Sequence, residues 1–173
     1  MKGDQMMKKM VAALALGALL LSWTTVKGED SLMQDLTMKE ASISEMKVDS
    51  RTFSLDSSIQ TKKVQFENRY GFTVVGDMYL PAHFDHQKKY KAIVVSGPFG
   101  AVKEQSSGLY AQEMAKHGYV AVAFDPSMTG ESSGKVRNMA SPDIFTEDYS
   151  AAVDFVTHLQ FVDPEKVGAI GIC

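Results

Sequence analysis

A single cysteine among 173 residues leaves no partner for an internal disulfide and, alone, cannot build a structural zinc site. Only five prolines and 13 glycines are present, without a period, which excludes a collagen-like repeat. No internal repeat or low-complexity tract occurs. Positive charge is not in excess: 18 Lys and Arg face 21 Asp and Glu, a net charge of −3. Such a chain cannot neutralise phosphates as a strongly basic nucleic-acid binder does, and no nucleic-acid partner is expected. What is there is ordinary for one globular domain, with 45% hydrophobic and 23% charged residues.

The longest apolar run, Met10 to Trp23, falls short of the ~20 residues that span a bilayer. Lys2, Lys8 and Lys9 precede it, and Val26-Lys27-Gly28 follows as a small-x-small site. Residues 1–28 are therefore expected to be a secretory signal peptide, with an uncleaved anchor or a buried helix as alternatives. Its removal would leave 14 basic and 20 acidic residues in an exported, periplasmic or secreted product with no stable membrane span. Export implies an oxidising compartment, where a lone cysteine is unusual. Residues 29–60 are polar and lack sustained periodicity, and read as a linker with one amphipathic turn at Leu32–Met38.

From Lys62 onward the texture changes. VQFEN and FTVVGDMYLP flank the turn signal Arg69-Tyr70-Gly71 and predict an antiparallel hairpin closed by Pro81. Ala92–Val95 and Tyr119–Phe124 are continuous apolar runs, as in strands buried on both faces of a parallel sheet. Between them, residues 103–117 show helical spacing, with Leu109, Tyr110, Met114 and His117 on one side and Gly118 at the C-terminal cap. Ser141-Pro142 opens a second helix, running to about Leu159, with Tyr149, Ala152, Val153, Val156 and Leu159 on one face. Asp163-Pro164 breaks it, and Val167–Ile172 predicts a third buried strand. The fold class is α/β, a hairpin followed by β-α-β-α-β, over residues 61–173.

In open parallel sheets, ligands bind outside the carboxyl ends of the strands. Three such ends are visible: SGPFG, DPSMTGESSG and Gly171-Ile172-Cys173. A strand that ends in Gly-x-nucleophile is the first half of a nucleophile elbow, with the small residue admitting a tight backbone turn. Cys173 suits the role because a thiolate forms more readily than an alkoxide; a buried structural cysteine is the plainer reading. Gly130–Lys135 fails the phosphate-loop spacing, with three residues between its glycines and Val136 after the lysine. Gly97–Gly100 is not GxGxxG either, so no nucleotide or other cofactor is expected. His83 and His86 lie in a loop and read as surface rather than a metal pair; His117 and His158 lie near helix ends.

The segments PFGAVKEQSSGLYAQEMAKHGYVAVAFDPSMTGESSG, SPDIFTEDYSAAVDF and VDPEKVGAIGIC, in this order, resemble the amino-terminal half of an α/β-hydrolase, specifically its dienelactone-hydrolase-like branch. The resemblance spans about 110 residues, from about Val64 to Cys173. It implies Cys173 as nucleophile and the Gly97–Gly100 loop as half of an oxyanion hole. Pro98 has no N–H to donate, so Phe99 is the better donor. It also implies that Asp125 and the TGESSG segment shape the loop beside the site, with Asp125 capping backbone N–H groups around Met128–Gly130 rather than acting as an acid.

In that family the acid and the histidine follow the nucleophile, whereas all four histidines here precede Cys173. The chain is thus expected to be a truncated, amino-terminal part of the fold, inactive alone, with its last strand left as an exposed sheet edge. The expected function is hydrolysis of a small-molecule ester or lactone. The alternative is an inactive exported scaffold.

Overall fold

A computed structural model describes residues 41–46 and 49–173. The expected signal peptide and the Leu32–Met38 turn lie outside these residues. Among the described residues six strands form one sheet: β1 (Ser42–Ser44), β2 (Gln60–Glu67), β3 (Thr73–Leu80), β4 (Tyr90–Ser96), β5 (Val120–Phe124) and β6 (Val162–Gly171). Helix α1 (Ser106–Lys116) joins β4 to β5, and α2 (Pro142–Thr157) joins β5 to β6. The spatial order is β1-β2-β3-β5-β4-β6.

The hairpin forms where expected, with Glu67 opposite Thr73. Its turn is shaped by Asn68, whose side-chain oxygen accepts the N–H groups of Tyr70 and Phe72, both at 3.0 Å. Gly71 supplies the positive φ, +78°. β3 pairs antiparallel with β5, while β4 pairs parallel with both β5 and β6. β5 and β6 therefore flank β4 on opposite sides, and β4 is the switch point at which the crossovers reverse.

The period of two in β5 sorts the core. Val120, Val122 and Phe124 join Phe66, Val94, Phe155 and Val156 on the α2 face. Phe66 stacks on Phe155 at 5.1 Å and meets Phe124 edge-on. Ala121 and Ala123 face α1 with Tyr79 and Val95. Small residues there let α1 sit close to the sheet. Its buried positions are Ser107, Gly108, Ala111, Gln112 and Ala115, while Leu109 and Tyr110 of the larger apolar set point outward. Gly108 has no room for a side chain: a Cβ would lie 2.4 Å from the Lys103 carbonyl oxygen and 2.9 Å from Tyr79 Oη.

The caps agree with the sequence. Gly118 follows α1 at φ +87° and its N–H donates to the Ala115 carbonyl. Ser141 precedes Pro142 at the start of α2. His117 and His158 each place Nδ1 2.7 Å from a carbonyl of the preceding turn.

Three features differ from the sequence reading. Residues 41–60, read as linker, carry β1 and a strap packed against the domain. Thr52 N–H donates to the Glu104 carbonyl (2.9 Å), Asp56 N–H to Gln112 (2.9 Å), and Arg51 Nε to Tyr79 Oη (3.0 Å). These contacts span 28 to 56 residues of sequence, so no local pattern reports them. Helix α1 starts at Ser106, not 103, because Lys103 is held in a turn by Asp125. β6 begins at Val162 and runs past Pro164 through an irregularity, with Val162 opposite Tyr90 and Val167 opposite Ala92. Beyond Val162 it is an exposed sheet edge, as the reading of the last strand also held, because among the described residues it pairs only with β4 and only α2 contacts it substantially. No helix among the described residues is long and apolar enough to cross a membrane.

Candidate active site

The carboxyl ends of β4, β5 and β6 lie side by side, as the parallel register requires. After β4, the loop from Gly97 closes a turn in which Ala101 N–H donates to the Pro98 carbonyl (3.0 Å), with Gly100 at φ +82°. Phe99 stands at its tip, 62% exposed. Among the described residues no acceptor takes the Phe99 N–H.

After β6, Ile172 N–H still donates to the Ser96 carbonyl (3.2 Å), and the next residue leaves the ladder. That residue, Cys173, is exposed and has φ +74°, a region that L side chains seldom occupy. Tyr149 of α2 donates its hydroxyl to the Ile170 carbonyl at 2.9 Å and lies 3.5 Å from the Ser96 carbonyl, bridging the ends of β6 and β4. A Cβ at Gly171 would meet only Tyr149 Oη among these neighbours, at an ordinary 3.5 Å.

A cleft of about 290 Å³ opens between these loops, lined among others by Phe99, Pro126, Phe145, Tyr149 and Cys173. The structure thus brings Cys173 and Phe99, the two residues singled out from the sequence, to one cleft. Its walls are largely aromatic and aliphatic, the lining expected of a small-molecule site.

Asp125, at the end of β5, is fully buried and organises the adjoining loops. Its Oδ1 accepts the Lys103 N–H (2.7 Å); its Oδ2 accepts Lys103 Nζ (3.0 Å) and the Glu131 N–H (2.9 Å). The cap falls on Glu131, one residue beyond the expected Met128–Gly130 span. Gly130 has to be glycine: its φ is +50°, and a Cβ would lie 2.2 Å from Asp125 Oδ2. The TGESSG serines serve the sheet. Ser132 Oγ donates to the Asp125 carbonyl and accepts the Val75 N–H, and Ser133 Oγ accepts the Thr73 N–H.

Several residues around the site gave no signal in the sequence. Lys103 is wholly buried, with its ammonium among Asp125, Glu104 and Glu131. Burial alone would lower its pKa, but the Asp125 carboxylate, helped by the other two, holds it above the usual lysine value. Asp148, also buried, accepts hydrogen bonds from Ser127 N–H, Ser127 Oγ and Asn68 Nδ2, each at 2.7 Å, and so ties the β5 loop to the hairpin turn. On the α1 face Asp77 is fully buried and neither carboxylate oxygen has a hydrogen-bond donor; Arg51 Nη2 is 3.8 Å away. Burial pushes Asp77 up to about 6, only partly offset by Lys103, Lys63 and Arg51. Among the described residues no three His, Cys, Asp or Glu side chains gather as metal ligands would. His86 instead meets the Phe84 ring edge-on.

The sequence model of the X-Pro dipeptidyl-peptidase (S15) family matches residues 71–173. Uncharacterized protein PA2218 of Pseudomonas aeruginosa is 58% identical over 123 residues, 71% of this chain and 33% of that protein. Its crystal structure superposes with a TM-score of 0.71 at 56% identity, covering 74% of this chain and 40% of that one. Thiohydrolase aneE of Aspergillus aculeatus is 33% identical over 110 residues, 64% of this chain and 33% of that protein. The α/β-hydrolase GrgF from Penicillium sp. sh18 shares the fold, with a TM-score of 0.60 at 24% identity over 66% of this chain and 38% of that one. The chain spans about a third of the length of the curated relatives it matches. A mixed sheet whose crossovers reverse at β4, with loops converging at its carboxyl edge, joins these matches in one conclusion: the chain belongs to the X-Pro dipeptidyl-peptidase (S15) family and carries part of an α/β-hydrolase fold.

Proposed function

We propose that this chain supplies the nucleophile and one oxyanion donor of a hydrolase acting on small-molecule esters, thioesters or lactones. The observation that carries the reading is Cys173: at φ +74° after a parallel strand, in the same cleft as the tip of the Gly97–Gly100 loop. A strained backbone at a strand end is the device that presents a nucleophile above a sheet. The dienelactone-hydrolase-like resemblance and the thiohydrolase relative support acyl chemistry at that position.

In this reading the Cys173 thiolate attacks the carbonyl carbon and a C–S bond forms. The carbonyl oxygen takes the negative charge and accepts the Phe99 N–H. The bond to the leaving group then breaks, and that group departs with a proton taken from solvent water. Water cleaves the resulting thioester, which releases the acid and restores the thiol. The aromatic and proline walls of the cleft favour an apolar acyl group. The amino-terminal pattern supports an exported setting.

The test is acetyl transfer from p-nitrophenyl acetate, followed by intact mass and peptide mapping. One acetyl group on Cys173, absent in Cys173→Ala, is the expected result. Labelling confined to lysines, equal in both proteins, would sink the reading.

A further inference from the structure

We propose that Lys103 is a positioning residue for acyl transfer at Cys173, its buried ammonium fixing the loop that carries the Phe99 N–H. This inference rests on the acyl-transfer reading above. The loop between β4 and α1 has an unsupported tip: Phe99 is exposed, and a Cβ at Gly100 would meet nothing within 4 Å. Beyond its own Pro98–Ala101 turn, the tip takes its position from where the loop joins the fold, and two of those junctions flank it. One is Ser96, still hydrogen-bonded in the sheet through its carbonyl. The other is Lys103, four residues beyond Phe99.

Lys103 is attached at both ends of its own side chain. Its backbone N–H and its Nζ both donate to Asp125 at the end of β5. The remaining Nζ contacts go to Glu104 in the same loop and to Glu131 in the β5 loop, and Glu131 also pairs with Lys63 of β2. One ammonium thus ties the loop to the end of β5 and the segment after it, and through Glu131 indirectly to β2, by directional, charge-assisted bonds. A buried ion pair is a poor source of net stability, because desolvation offsets the attraction. It does discriminate sharply between geometries, and geometry is what an oxyanion donor requires.

Cys173 is the sole thiol, which permits a direct test on the intact protein. Acylation by p-nitrophenyl acetate passes through an oxyanion; alkylation by iodoacetamide does not. The ratio of the two second-order rate constants, normalised to N-acetylcysteine, therefore reads oxyanion support separately from thiolate content and access. Wild type is expected to exceed the free thiol by about tenfold or more. In Lys103→Met the ratio should fall about tenfold, because a displaced donor forfeits most of its effect, while the alkylation rate changes little. Lys103→Arg, which keeps the charge, should recover part of the loss. If circular dichroism shows that Lys103→Met does not fold, Glu131→Gln removes one partner at the exposed rim and should lower the ratio about threefold. A folded Lys103→Met with the wild-type ratio, or an unfolded one together with an unchanged Glu131→Gln, would overturn the proposal. A wild-type ratio equal to that of the free thiol would overturn the acyl-transfer reading and this inference with it.

Discussion

Asp77 makes the stability of this domain depend on pH in a direction opposite to that of most carboxylates. Its side chain is fully buried under the strap, and both oxygens lack a hydrogen-bond donor. Burial raises its pKa from 3.8 to about 6. The folded state therefore holds the proton more tightly than the unfolded chain does. The stability this confers is complete below about pH 4 and is lost as pH rises through about 6. At about 1.36 kcal/mol for each pH unit separating the two values, the change amounts to about 3 kcal/mol. Asp77→Asn removes the titration with little change in volume and leaves Arg51 its bonds to Asp49 and Tyr79. Urea unfolding followed by circular dichroism at about pH 4 and about pH 8 isolates the effect, because other carboxylates titrate alike in both proteins. Wild type minus variant should become less favourable by about 3 kcal/mol between the two conditions. A difference that stays flat across that range, or that grows with pH, would refute the reasoning.

Two further substitutions probe the supports of the site. Gly108→Ala should destabilise the domain by about 1–3 kcal/mol, since its methyl group would press on the Lys103 carbonyl and lift α1 from the sheet; a thermal melt reads this, and an unchanged midpoint would contradict it. Asp148→Ala should cost roughly 3 kcal/mol by stranding the Ser127 and Asn68 donors, and amide exchange should quicken in the β5 loop before it does in the strands.

Local chemistry made the frame legible. Arg69-Tyr70-Gly71 announces a hairpin, Gly118 a helix stop and Ser141-Pro142 a helix start, because each acts through contacts within a few residues. The three apolar strands were visible by composition, and their parallel order brought Phe99 and Cys173 to one cleft. The supports of that cleft were not visible. Lys103 stands at the polar start of the helical pattern, where nothing marks it as buried, and its burial depends on Asp125, 22 residues away. Asp148 reads as an ordinary helix-surface acid until Ser127 and Asn68 are brought to it. The residues before Gln60 lack strand or helix periodicity, yet Arg51 and Thr52 find Tyr79 and Glu104 across the fold. The outward turn of Leu109 and Tyr110 follows from the close approach at Gly108, which hydrophobic spacing alone misreads.

A crystal structure of the protein treated with an aldehyde that adds to Cys173 as a hemithioacetal would examine the site at its reacting atoms. The hemithioacetal oxygen should lie about 3 Å from the Phe99 nitrogen, with the substituent carbon chain against Phe145 and Pro126. Failure of the aldehyde to add to Cys173 would contradict its assignment as nucleophile, and an adduct whose oxygen points to solvent, beyond hydrogen-bond reach of that nitrogen, would contradict the assignment of Phe99 as donor.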